Sequence, residues 1–265
     1  MPAATIPLID SLGEDLLLTT RAQRRWALAR PFLGVAAFAL AATARVWWIT
    51  PFIVFLIFVA IVTAAHDAVH GSLGLGPRAT DWALFAMGAI LLESGHAYRI
   101  SHTRHHQVFP GPDDPEGDPA RMGLLGAILY GPVFLPRLWL WAWRRSPAQR
   151  GWLAVEAAWA PAVIAIGVAL LPVTPAVLIY VALAYAGSWS YPLLTVHLPH
   201  RNYGDTPLTQ THTLRGWLIP KLFLELTYHL EHHLYPQVPS HRLPELSRRL
   251  EPMFNAAGVR PRRTL

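Results

Sequence analysis

Residues 51–70 read PFIVFLIFVAIVTAAHDAVH. From Pro51 to Ala65 the run carries no charge, and Thr63 is its only polar side chain. As a helix rising about 1.5 Å per residue it is long enough, with its flanks, to cross the hydrocarbon of a bilayer. It then runs directly into His66 and His70, one helical turn apart. At that rise they lie about 22 and 28 Å along the span, near the far surface from Pro51. A membrane span that ends in metal-ligating side chains is the starting point for the rest of the chain.

Working outward, three further stretches are apolar enough to span: Pro31–Ile49 before it, and Leu153–Leu171 and Pro175–Leu194 after it. The spacing predicts an all-α integral membrane protein with four transmembrane helices in two hairpins, spans about 31–49, 51–70, 153–171 and 175–196. The links Thr50-Pro51 and Pro172-Val173-Thr174-Pro175 are short and contain proline, which stops a helix. Trp82–Leu92 and Leu124–Trp143 are shorter or broken by Pro132, Pro136 and Arg137, and are expected to be interfacial helices in the headgroup region. The remaining parts, 1–30, 71–152 and 197–265, would form a helical cap that carries the other histidine clusters. Without a linker or an internal repeat, 1–265 reads as a single domain.

Composition supports a membrane setting: 53% of residues are hydrophobic and 14% charged, against about 25% charged in soluble domains. Lys221 is the only lysine, and the arginines flank apolar segments rather than forming a nucleic-acid-binding block. By the positive-inside tendency, both termini and all three basic segments face the cytoplasm, as in a bacterial inner-membrane protein. No small-residue cleavage site follows a short apolar region, so no removable signal peptide is expected. There is no cysteine. Thiolate metal sites, cysteine-ligated clusters and cysteine nucleophiles are therefore excluded, and any metal must be held by His, Asp or Glu.

The chain holds 13 histidines, and eight fall into three clusters: HDAVH at 66–70, HTRHH at 102–106 and HLEHH at 229–233. On a helix, positions i, i+3 and i+4 share a face, so each cluster aims its imidazoles at one region. The first cluster ends a span and the other two lie in cytoplasmic segments, so all three can meet on one side of the membrane. Eight imidazoles are too many for one ion with an open position, which implies two metals. Imidazole suits iron, copper, zinc and nickel alike. Asp67 and Glu231, inside boxes, are expected to accept ring N–H groups and so fix the tautomer and orientation of the ligands. Asp113, Asp114, Glu116 and Asp118 follow the second box in a proline- and glycine-rich run that reads equally as a solvated loop. His96, His212 and His241 read as ordinary packed or solvated residues.

These boxes, in this order and with the tail HHLYPQVP at 232–239, resemble the membrane fatty-acid desaturase superfamily from the first span to Leu250. The resemblance implies a di-iron centre that uses dioxygen to remove hydrogen from an unactivated C–H bond, with His66, His70, His102, His105, His106, His229, His232 and His233 as ligands. It also implies a further histidine after the last span, for which His200 in LPHR at 198–201 is the best match. An asparagine that some members place nearby is replaced by Val196, and His197 is expected to stand in for it. Reducing power would come from a separate ferredoxin or small cytochrome with its reductase, since the chain shows no flavin or nicotinamide fingerprint. The implied reaction is desaturation of a long-chain fatty acyl group. The motifs HDAxHGS, LPHR and HHLxPxVP are also similar to bacterial carotenoid ketolases, which makes carotenoid ring ketolation or hydroxylation the alternative. A membrane zinc hydrolase is a more remote one. A metal transporter is disfavoured because the histidines gather at one end of the spans.

Overall fold

A computed structural model describes residues 5–264. Helix α1, Arg21–Thr43, starts at a capping box in which the Thr20 hydroxyl accepts from Gln23 N–H and the Gln23 side chain accepts from Thr20 N–H. Pro31, expected to open the first span, sits inside this helix. The chain then turns at Arg45, whose φ is 58°, and passes through a 3-10 turn, Trp47–Ile49, into α2, Thr50–Val69. The first hairpin bend is thus at Ala44–Val46 rather than at Thr50-Pro51. Pro51 begins a helix there, a position where its missing N–H costs nothing. The bend holds an exposed arginine, Arg45.

Among the described residues, four helices are long and apolar enough to cross a membrane, within 14–43, 47–69, 147–170 and 176–200. Of the most apolar window of the second, 61% is buried, against 17%, 17% and 28% in the other three. The second span is therefore the central one. The others turn Phe32, Leu40, Val155, Ile166 and Val168 outward, a surface suited to lipid rather than water.

Between the hairpins, α3 (Pro77–Leu91) and α4 (Gly95–Val108) form a third, shorter hairpin. Its tip is Leu92, at φ 61°, then Glu93 and Ser94, whose hydroxyl caps α4 by accepting from Ala97 N–H. The expectation that Trp82–Leu92 lies flat among headgroups is corrected here. The last carbonyls of α3 accept hydrogen bonds from Trp159 Nε1 to Ala89 and from Tyr180 Oη to Ile90, both 2.9 Å. Trp159 and Tyr180 belong to the third and fourth spans, α6 (Arg150–Leu170) and α7 (Ala176–Trp189). The hairpin tip therefore dips between spans, which a non-helical turn tolerates only because protein surrounds it. The turn is tight: a Cβ on Gly95 would stand 2.3 Å from the Leu84 carbonyl oxygen.

Helix α5, Gly131–Arg145, buries Phe134, Leu138 and Ala142 and ends in Arg144 and Arg145. The fourth span continues past α7 through a π-helical turn, Pro192–His197, to Leu198–His200. Residues 201–264 then cap the bundle with α8 (His229–Leu234), α9 (Leu243–Arg249) and a parallel pairing of Leu214–Arg215 with Arg262–Arg263. The cap has its own core of Leu230, Leu243, Leu246, Leu250 and Phe254, into which Leu16 from the N-terminal segment inserts.

Candidate metal centre

The three boxes and His200 converge as two neighbouring groups of imidazoles. One contains His66, His70, His102, His106 and His232, and the other His105, His200 and His233, with the ligand-type atoms of each group within 4.8 Å of one another. His229 joins the second group, its Nε2 lying 3.0 Å from that of His200 and 3.1 Å from that of His233. Helical geometry explains the division. In α4, His102 and His106 are one turn apart and face the first group, while His105 faces the second. In α8 the one-turn pair is His229 and His233, facing the second group, and His232 faces the first. The rings of His106 and His233 stack at 4.3 Å between centroids, so the groups share a wall.

Donor chemistry fits a pair of cations. A neutral imidazole carries one N–H. In His105, Nδ1 bonds the Asp114 carboxylate at 2.7 Å; in His102, Nδ1 bonds Glu116 at 3.1 Å; and in His200, Nδ1 bonds the Gln210 carbonyl at 3.0 Å. With the proton on Nδ1, each Nε2 presents a bare lone pair to the interior, a tautomer assigned from the hydrogen-bond partners. Facing Nε2 atoms lie 2.9 Å apart in His66–His232 and in His232–His106, and 3.2 Å apart in His106–His102. His70 Nε2 is buried with no hydrogen-bond partner among the described residues. Lone pairs packed this closely suit metal ions, and no carboxylate among the described residues joins either group.

The electrostatics point the same way. Burial, and after it the repulsion of neighbouring histidines, holds His102, His106, His229, His232 and His233 well below the ordinary imidazole range, so they stay neutral and ready to ligate. His105 differs: burial acts to lower it, but the hydrogen bond and charge of Asp114 outweigh that and raise it. Burial pushes Glu116 up to about 7.

The acidic run after box two is where sequence reading fell short. Asp114 and Glu116 are 4% and 3% exposed and orient His105 and His102. Asp114 also accepts from Glu116 N–H, and Ser101 donates to Glu116. Arg121 pins the loop by donating to the carbonyls of Pro110 and Gly111. The one available signal was an Asp-x-Glu spacing eight residues or so past the last histidine of the box.

Conversely, Asp67 and Glu231 do not hold ligand rings. Asp67 lies 3.7 Å from His66 Nδ1, too far for a hydrogen bond, and accepts from the Ser240 N–H and hydroxyl at 3.1 and 2.6 Å. Glu231 accepts from the hydroxyls of Thr213 and Ser247. Both tie a box to the C-terminal cap. His197 donates from Nδ1 to the Pro119 carbonyl at 2.9 Å and belongs to neither group. Beside the centre lies a cavity of about 210 Å³, walled by His66, His102, His105 and His229 on one side and by Phe58, Leu194 and Phe223 on the other.

Comparison with known proteins agrees with this geometry. The family model for fatty acid desaturase matches residues 42–264. A β-carotene ketolase from Paracoccus sp. is 29% identical over 270 residues, covering 92% of this chain and 96% of its own. The chloroplastic omega-3 fatty acid desaturase of Sesamum indicum is 23% identical over 287 residues, covering 86% of this chain and 61% of its own. Dihydrorhizobitoxine desaturase from Bradyrhizobium elkanii is 35% identical over 100 residues, 35% of this chain and 27% of its own. With the histidine geometry and a match across most of its length, the chain belongs to the fatty acid desaturase family.

Proposed function

We propose that this protein is a dioxygen-dependent di-iron oxidoreductase of the bacterial inner membrane that oxidises an unactivated C–H bond of a long apolar molecule. The observation that carries this reading is the pairing of nine converging imidazoles with an apolar cavity against them. The nine histidines would hold two irons, one in each group. Bound iron supplies what no side chain offers, an oxidant able to take hydrogen from an alkyl carbon. The chain's own residues do the rest. Asp114 and Glu116 fix the rings of His105 and His102, Phe58, Leu194 and Phe223 hold the chain against the histidines, and the packed cap keeps bulk water away. Electrons would come from a ferredoxin or small cytochrome, docking on the arginine-bearing cytoplasmic side with both termini on that side.

For the substrate, the first reading is desaturation of a fatty acyl chain. Oxygenation of a carotenoid ring is favoured by a separate observation: the ketolase match spans nearly the whole of both chains. Expression in hosts with and without β-carotene, followed by lipid and pigment extraction, tests both. New double bonds with unchanged pigment support the first, and a ketocarotenoid supports the second. Two zincs per chain, with activity under nitrogen, would replace both with a hydrolase.

A further inference from the structure

Beyond the metal-side cavity lies a second one, of about 380 Å³, lined by residues of α2 to α7 and partly open at its rim. Its wall on α2 includes Ile61 and Val62, about a turn before His66. The two cavities meet at Val62, Tyr98 and Tyr191. Tyr98 stacks on His102 with centroids 4.9 Å apart and meets Tyr191 edge-on at 6.3 Å. The pair is the partition between them.

Most of the second cavity is hydrocarbon, including Met87, Leu91 and Leu135. Its floor is not. Glu93, at the tip of the α3–α4 hairpin, faces it together with Ser188 of the fourth span, whose hydroxyl donates to Glu93 Oε1. Neither a cation nor a second donor among the described residues reaches the other carboxyl oxygen. Glu156, in the same wall, is different: its oxygens are taken by Ser94 at 2.5 Å and His96 Nδ1 at 2.7 Å. A carboxyl at membrane depth with a spare oxygen is an unusual end for an apolar chamber. A purely hydrocarbon occupant would strip Glu93 of water and return no hydrogen bond. An occupant with a hydroxyl would satisfy it in either protonation state, since a carboxyl accepts and, when protonated, also donates.

We propose that this chamber receives the distal part of the substrate and selects a hydroxyl or similar uncharged hydrogen-bonding group there, held by Glu93 and Ser188. This deepens the oxidase reading and rests on it. Ser94 and His102 are separated by about 12 Å of helical rise, so the selected group lies roughly that far from the carbon facing the metals.

The test uses the full-length, iron-loaded protein in detergent micelles, incubated with equal amounts of 1-hexadecanol and hexadecane, desalted and extracted. The retained ratio is measured against empty micelles. The expected result is about a tenfold preference for the alcohol, the size of one net hydrogen bond. Glu93→Gln should keep most of it, whereas Glu93→Leu and Ser188→Ala should lose it while retaining iron. Equal retention by the native protein, or a preference that survives Glu93→Leu, would overturn the proposal. If Glu93→Leu loses its iron, Ser188→Ala decides in the same way. Dioxygen-dependent turnover and iron content are read separately, so failure of the oxidase reading would show there with the ratio unaffected.

Discussion

His105 Nδ1 and the Asp114 carboxylate are 2.7 Å apart, both almost wholly buried, and joined by a loop that leaves α4 at Val108 and turns back on it. The bond fixes which ring nitrogen of His105 faces the second group of imidazoles. Asp114→Asn keeps the size but removes the charge, and an amide can present the wrong group to Nδ1. Loss of such a partner typically weakens metal binding about 10- to 100-fold. Iron per chain after dialysis against a mild chelator should fall with activity, and retention equal to the native protein would refute the assignment.

The division of box three between the groups gives a finer prediction. His232 is within hydrogen-bonding distance of His66 and His106, whereas His229 contacts His200 and His233. His232→Ala should abolish activity and remove iron preferentially from the first group, leaving about half the metal. Elemental analysis and Mössbauer spectroscopy check this. Unchanged iron in the variant would mean that the groups are not separate sites.

Stability should fall on the acid side. His102, His106, His229, His232 and His233 are held below the unfolded imidazole value by burial. The unfolded chain therefore binds more protons below about pH 6.5, and stability is lost as the pH drops through that value and below. His105, raised by Asp114, and Glu116 and Glu231, raised by burial, work in the opposite sense, but the lowered imidazoles outnumber them. Bound metal should strengthen the trend, because protons compete with it for the same nitrogens. Thermal unfolding and iron release from pH 8 to pH 5 should show a plateau and then a decline; a decline on the alkaline side alone would contradict it.

Asp67 ties the first box to the cap through Ser240 rather than through a ligand. Asp67→Ala leaves a buried N–H and hydroxyl without an acceptor, which costs about 1–3 kcal/mol. The expected outcome is a lower Tm, with the iron content of the folded fraction little changed. Ser240→Ala should do less harm, since the Ser240 N–H remains.

Gly95→Ala should disrupt the α3–α4 hairpin, because the new methyl carbon would meet backbone, not a movable side chain. Overpacking of this kind costs about 1–3 kcal/mol. Reduced accumulation in membranes and a lower Tm are expected, whereas Gly123→Ala, with nothing within 4 Å, should be tolerated.

The spans, the boxes and the meeting of their histidines could be read from residue spacing, because a helix converts spacing into direction. What spacing could not reveal depends on contacts distant in sequence. The loop holding Asp114 and Glu116 has a composition suited to solvent and becomes buried only because α4 and Arg121 close over it. Trp82–Leu92 is too short to span, and its partners Trp159 and Tyr180 lie 70 and 90 residues away. The first span began earlier than expected because a proline can sit within a helix when packing there compensates. Asp67 and Glu231 were expected to accept from ligand rings, but Ser240, and Thr213 with Ser247, occupy them instead.

The imidazoles are contributed by stretches from His66 to His233, so the last box is made long after the first. A ribosome delivers these pieces in order, so four spans and two boxes must wait until the cap has been made. During that interval the lone pairs have no cation and α2 has no lid. If the site holds iron as proposed, iron supply becomes a step in biogenesis: cells starved of it should accumulate a chain that has inserted but not closed, exposed to membrane proteases.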